Sequence, residues 1–94
     1  MNKYEVMYIV KSADEEVVNS VVEKVENLIT KNGGNVEKVD RWGKRRLAYE
    51  VKKQNEGYYV LVNFEAQPTV ITEIDRVTKI TDEILKHMIV KNDK

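Results

Sequence analysis

The sequence predicts an α+β protein in which a four-stranded antiparallel sheet carries two helices on one face. Three observations lead there. Apolar residues recur at helical spacing in two stretches, Val18 to Ile29 and Ile71 to Thr78. Four stretches rich in β-branched and aromatic residues surround them. The second and third of these are separated only by a short polar segment, as in a hairpin, so the order is βαββαβ.

Residues 3–10 form the first strand. Tyr4, Val6, Tyr8 and Val10 fall on one face and Glu5, Met7 and Ile9 on the other; two largely apolar faces mark a central strand. Ser12-Ala13-Asp14-Glu15 has the form of a capping box, with Ser12 as the cap and Glu15 reaching back. Asp14, Glu15 and Glu16 also suit the positive end of the helix dipole. Val18, Val21, Val22, Val25, Leu28 and Ile29 make the apolar stripe, Lys31 sits in the last turn, and Gly33-Gly34 supplies a left-handed stop. Valine is a poor helix former, so this helix depends on packing.

Residues 35–53 read as a long strand with a bulge or bend at Gly43. Leu47, Tyr49 and Val51 alternate with Ala48 and Glu50, and Leu47 and Tyr49 are expected in the core. Gln54-Asn55-Glu56-Gly57 reads as the hairpin turn and Tyr58 to Glu65 as the third strand. Pro68 suits the first turn of a second, weaker helix over 69–79. Thr81-Asp82-Glu83 is a loop, and Leu85 to Lys91 the last strand.

Right-handed crossovers place both helices on one face of the sheet. The result is a split βαβ, ferredoxin-like sandwich, with strands one and three central and two and four at the edges. Val6, Tyr8, Val60, Val62, Phe64 and Ile89 are assigned to the covered face, Met7, Ile9, Tyr59, Leu61, Met88 and Val90 to the open one. An open face this apolar suggests a partner, although scattered exposed apolar residues are common.

At 94 residues the chain is expected to be a single domain, 1–94. Its 41% hydrophobic and 34% charged residues argue against disorder. The absence of Cys excludes a disulfide scaffold and thiolate metal sites. No apolar run approaches a membrane span and Met1 to Glu5 lacks a signal-peptide core, so a soluble cytoplasmic protein is expected, with no cofactor.

Catalysis is poorly supported. The one histidine, His87, stands alone in a predicted edge strand, where a packing or surface role is the commoner use. Lys11 to Glu16, where small phosphatases of this fold bind phosphate, lacks a glycine cradle and carries three acids. Gly57-Tyr58-Tyr59-Val60 resembles the start of an RNA-stacking motif, but the later small and aromatic positions are missing. A small-molecule regulatory module is a further use of the fold, usually beside an enzyme domain.

The net charge is zero, with 16 basic and 16 acidic residues, yet Arg41 to Lys53 holds six basic residues and one acid. Any pull on a polyanion must come from that segment rather than from the whole chain. Edge-strand cations also prevent aggregation, but one or two suffice for that. Arg41, Lys44, Arg45 and Arg46 flank Trp42, which is costly to expose and typical of interface anchors. A macromolecular interface is the better reading. Lys3 and Lys91, at the ends of adjacent strands, add candidate phosphate contacts.

The motif Gly43-Lys44-Arg45-Arg46-Leu47-Ala48-Tyr49-Glu50-Val51-Lys52, with Tyr4-Glu5-Val6, Gly33-Gly34 and Gly57-Tyr58-Tyr59, resembles the bacterial small-subunit ribosomal protein S six family over nearly the whole chain. Val51 stands where isoleucine is commoner, and the long acidic tail of some members is absent. The resemblance implies a non-enzymatic part of the small ribosomal subunit. It also implies binding to the central domain of small-subunit (16S) ribosomal RNA as a heterodimer with ribosomal protein S eighteen. Arg41, Lys44, Arg45 and Arg46 would then meet phosphates or the partner, with Trp42 and the open face buried against protein or RNA. The alternatives are a stand-alone single-stranded RNA binder using Tyr59 and the small-molecule module.

Overall fold

The computed structural model describes residues 2–11, 14–51 and 54–92. Six elements follow in the expected order: β1 (Asn2–Val10), α1 (Glu15–Lys31), β2 (Asn35–Val51), β3 (Gln54–Ala66), α2 (Pro68–Ile80) and β4 (Ile84–Asn92). The strands lie β2-β3-β1-β4, each antiparallel to its neighbours. β1 is hydrogen-bonded on both sides, which its two apolar faces require.

Register sorts the side chains. Val6 lies opposite Val62 on one side and Ile89 on the other, Tyr8 opposite Val60, and Tyr4 opposite Phe64. These residues form the covered face. All but the half-buried Ile89 are buried, and α1 closes over them with Val18, Val21, Val22, Val25 and Ile29. Tyr4 and Phe64 stack with centroids 5.8 Å apart. α2 adds Ile74 and Thr78, whose hydroxyl satisfies itself in the fold by donating to Ile74 O at 2.8 Å. Leu28, expected in the core, is only partly buried at its margin.

The ends of α1 are local chemistry. Its cap is Asp14, whose side chain accepts from Glu16 N at 2.9 Å, rather than Ser12; Ser12 lies outside the described residues. At the other end Gly34 N donates to Ile29 O and Gly33 N to Thr30 O, the paired bonds of a Schellman stop. Gly33 has φ +84°, which a side chain would strain. A Cβ on Gly34 would sit 2.8 Å from Glu65 O, so only glycine lets the turn approach β3 this closely.

β2 departs from regularity three times, the last between Arg46 and Val51. One extra residue lies between Val36 and Lys38, and another, Trp42, between Arg41 and Gly43. The second bulge carries Gly43 at φ +88°. Beyond it, β2 and β3 outrun β1, whose last pair is Val10 with Tyr58. Residues 45–51 and 54–57 therefore project as a two-stranded arm.

The arm corrects two expectations. Gln54 to Gly57 is strand rather than turn: Val51 pairs with Gln54, and Glu56 and Gly57 pair with Arg46 and Arg45. Gly57 is glycine because its backbone rests on β1: a Cβ there would meet Ile9 Cγ2 at 2.2 Å. Leu47 is half-buried and Tyr49 is 63% exposed, so neither belongs to the core. Alternation read them as inward-facing, but the pairing of β1 with β3 ends at Val10, and among the described residues no third strand pairs alongside the arm to complete a core there.

Candidate protein and nucleic-acid interface

The bulge at Trp42 sets the geometry of the basic segment. It resets the register so that Gly43 lies opposite Tyr59, Lys44 opposite Tyr58, Arg45 opposite Gly57 and Arg46 opposite Glu56. Residues directly opposite share a face. Arg45 therefore lies on the open-face side with Tyr59, while Lys44 and Arg46 lie on the helix side. The indole of Trp42 stacks on Tyr59, rings 4° from parallel and centroids 6.4 Å apart, yet Trp42 stays 45% exposed. A half-exposed tryptophan held flat on a tyrosine is a rigid apolar platform at low entropy cost.

Around it lies the open face. Met7 pairs with Leu61 and with Met88, and Ile9 with Tyr59 and Lys86. Met88 and Val90 are about half exposed. Met7, Ile9, Tyr59, Lys86, His87 and Met88 line a groove of about 140 Å³. That volume accommodates a side chain rather than a drug-sized ligand, for which ~300 Å³ is the usual lower bound.

Several expected cations already have partners within the chain. Arg41 faces α1 and donates to Asn19 Oδ1. Lys44 meets Glu56 at 3.3 Å and Lys3 meets Glu37 at 3.7 Å, both exposed pairs of small energetic weight. Arg45 and Arg46 are exposed, with no ion pair or side-chain hydrogen bond among the described residues. The structure thus brings Trp42, Tyr59 and Arg45 onto one surface, with Arg46 on the reverse of the same arm. It does not bring Lys3 to them: six residues along β1 separate Lys3 from the Ile9–Tyr59 row, about 20 Å at a strand's rise. Lys91, opposite Tyr4, faces away from Lys3, on the helix side.

The structure adds a contact that sequence reading missed. Lys86 Nζ donates to the Tyr49 hydroxyl at 2.9 Å and lies 5.5 Å from the centre of its ring. The hydrogen bond and the charge of Lys86 lower the Tyr49 pKa, and the same pair raises that of Lys86. Because Tyr49 and Lys86 lie 37 residues apart, on β2 and β4, local patterning held no signal for the pairing.

His87 does structural work. Its Nε2 lies 2.7 Å from Asp75 Oδ1, tying β4 to α2. Among the described residues no group of three or more His, Cys, Asp or Glu could hold a metal ion, and no helix is long and apolar enough to cross a membrane.

A helix-backed sheet that presents an aromatic platform and a basic arm belongs to the class of α+β contact proteins, whose site is a surface rather than a reaction centre. The sequence matches the family described as Ribosomal protein S6 over residues 3–91. It is 53% identical to the small ribosomal subunit protein bS6 of Clostridium acetobutylicum, over the whole of both chains. With the bS6 protein of Carboxydothermus hydrogenoformans it shares 45% identity over 100% of this chain and 99% of the other. The crystal structure of 30S ribosomal protein S6 from Thermotoga maritima superposes with a TM-score of 0.89 at 32% identity, covering 97% of this chain and 87% of that one. The chain belongs to the ribosomal protein S6 family: a structural protein of the small ribosomal subunit, cytoplasmic with the ribosome, and not an enzyme.

Proposed function

We propose that the protein binds the central domain of small-subunit ribosomal RNA as a heterodimer with ribosomal protein S eighteen. The observation that carries this reading is the arm: Arg45 on the side of the half-exposed Trp42–Tyr59 stack and Arg46 on the reverse, neither with an ion pair among the described residues. Arginine suits both phosphate and carboxylate, and the stack suits an apolar anchor from a protein. Arg45 and Arg46 are the principal contacts, and Trp42 and Tyr59 the docking platform. Arg41 and Lys44 contribute field from their in-chain pairs, and Lys3 and Lys91 make outlying phosphate contacts.

Charge supports the need for a partner. A chain of zero net charge has little long-range attraction for RNA. A basic protein seated on the open face would supply that field, and this chain would supply shape and a fixed basic edge. The work is positioning: phosphate contacts set orientation, and no covalent step is involved.

The test is a titration of a central-domain RNA fragment with the protein, with and without the basic partner, over a range of salt. Weak binding alone and a steep rise with partner is the expected result. Tight binding alone, indifferent to partner, would favour the single-strand binder. That reading has less support, since Trp42 already occupies one face of the Tyr59 ring.

A further inference from the structure

We propose that Tyr49 and Lys86 form a clasp that positions the β2–β3 arm, and with it Arg45 and Arg46, before any partner arrives. The arm needs such a device. It consists of two strands with no third paired beside them among the described residues, and an isolated two-stranded hairpin is marginal in water. At its base it rests on β1 through Gly57. Further out, the side-chain tie to the rest of the sheet among the described residues is Tyr49 to Lys86.

That tie spans the whole sheet. β2 and β4 are its opposite edges, and Gly43, Tyr59, Ile9 and Lys86 form one row across all four strands. Tyr49 lies six residues beyond Gly43 on the arm, yet its hydroxyl reaches Lys86 at the far end of the row. The arm therefore curls back over the open-face end of the sheet. The ammonium makes its contact there at the hydroxyl end of the ring, donating a charge-assisted hydrogen bond to Tyr49 Oη. Its charge also lies near enough to Tyr59 to feel that ring's hydroxyl. The clasp thus links the arm to the row beneath the Trp42 stack. Without it the arm samples more orientations, and the entropy of fixing Arg45 and Arg46 falls on the binding step.

This inference rests on the reading that the arm is the contact surface, and its test separates the two. Amide hydrogen exchange is followed in the free protein for wild type, Tyr49→Ala, Lys86→Ala, the double variant and Lys86→Arg. Exchange of the described arm amides should rise about two- to five-fold in either single variant, the scale of one exposed hydrogen bond. The double variant should add nothing further, because either change alone breaks the clasp. Lys86→Arg, which keeps the charge and a donor, should stay within about two-fold of wild type. Core amides of β1 and β3 should not move in any variant. Unchanged arm exchange in the single variants, effects that add in the double, or equal acceleration in the core would each overturn the clasp. Binding is then measured separately. Loss of partner or RNA binding in Arg45→Ala/Arg46→Ala with wild-type arm exchange bears on the contact surface alone.

Discussion

Tyr8 and Tyr49 have the same side chain and opposite surroundings. Tyr8 is fully buried in the middle of β1, among the valines of the covered face. Burial first, and the Glu26 carboxylate second, push its phenol far above the ordinary value, with Arg41 opposing. Tyr49, on the arm, is 63% exposed and is pulled below the ordinary value by Lys86. The difference separates a region held by exclusion of water from one held by a few discrete polar contacts. Most of the stability resides in the first, and the groups free to meet a partner in the second. Substitutions should respect that division.

The largest effect belongs in the sheet centre. Phe64→Ala removes a fully buried ring that stacks on Tyr4, and should lower unfolding free energy by about 3–5 kcal/mol in urea titration. A loss under about 1 kcal/mol would mean the covered face is misassigned.

Two neighbours on α1 sharpen the boundary of the core. Ile29→Ala should cost about 2–5 kcal/mol, since Ile29 is fully buried. Leu28→Ala should cost less, about 1–2 kcal/mol, because Leu28 is only partly buried. Equal losses would erase the distinction drawn between them.

At the junction of core and arm, Gly57→Ala forces a Cβ against Ile9 Cγ2 and should cost about 1–3 kcal/mol by overpacking. An innocuous Gly57→Ala would show that the arm base does not press on β1. Arm residues themselves should matter little for folding: Arg45→Ala and Arg46→Ala should each stay within about 0.5 kcal/mol of wild type.

The tyrosines also predict pH behaviour. Tyr8 keeps its proton in the folded state at pH values where the unfolded chain releases it. Its contribution is therefore full below the ordinary tyrosine value of 10.0 and declines as pH climbs above it. Tyr8→Phe should flatten the alkaline limb of stability against pH. At neutral pH it should be tolerated to within about 0.5 kcal/mol, because the hydroxyl is buried with no hydrogen-bond partner among the described residues. Tyr49 should be the earlier of the two to ionise in ultraviolet titration, and Lys86→Met should raise its midpoint. No change in that midpoint would contradict the Tyr49–Lys86 contact.

The same division explains what could be read in the sequence. Both helices and the two faces followed from periodicity, because burial imposes periods of 2 and 3.6 on residues such as Val6, Val22 and Ile74, and the sheet order followed from the element order and right-handed crossovers. The cluster of basic residues around Trp42 was legible from composition alone. The arm was not. Alternation at Leu47 and Tyr49 looks like a core strand whether or not anything lies beneath it. Gly57 read as turn chemistry although its purpose is close approach to Ile9. The stack of Trp42 on Tyr59 depends on a one-residue bulge whose register is decided across strands. Lys86 gave no local sign at all. The cap at Asp14 rather than Ser12 is a choice between two good capping residues that local sequence leaves open.

The central claim is that the arm is the contact surface and the helix-backed core its support. The most direct measurement is a pair of titrations of Arg45→Ala/Arg46→Ala, one with the basic partner alone and one with partner and central-domain RNA at several salt concentrations. The account predicts a correctly folded variant whose ternary complex is weaker. If the arginines meet phosphates, the salt slope becomes shallower by roughly one unit per lost contact. If they meet the partner, the heterodimer weakens even without RNA. Wild-type affinity in both titrations, with an unchanged salt slope, would contradict the claim and leave the arm a solvated edge.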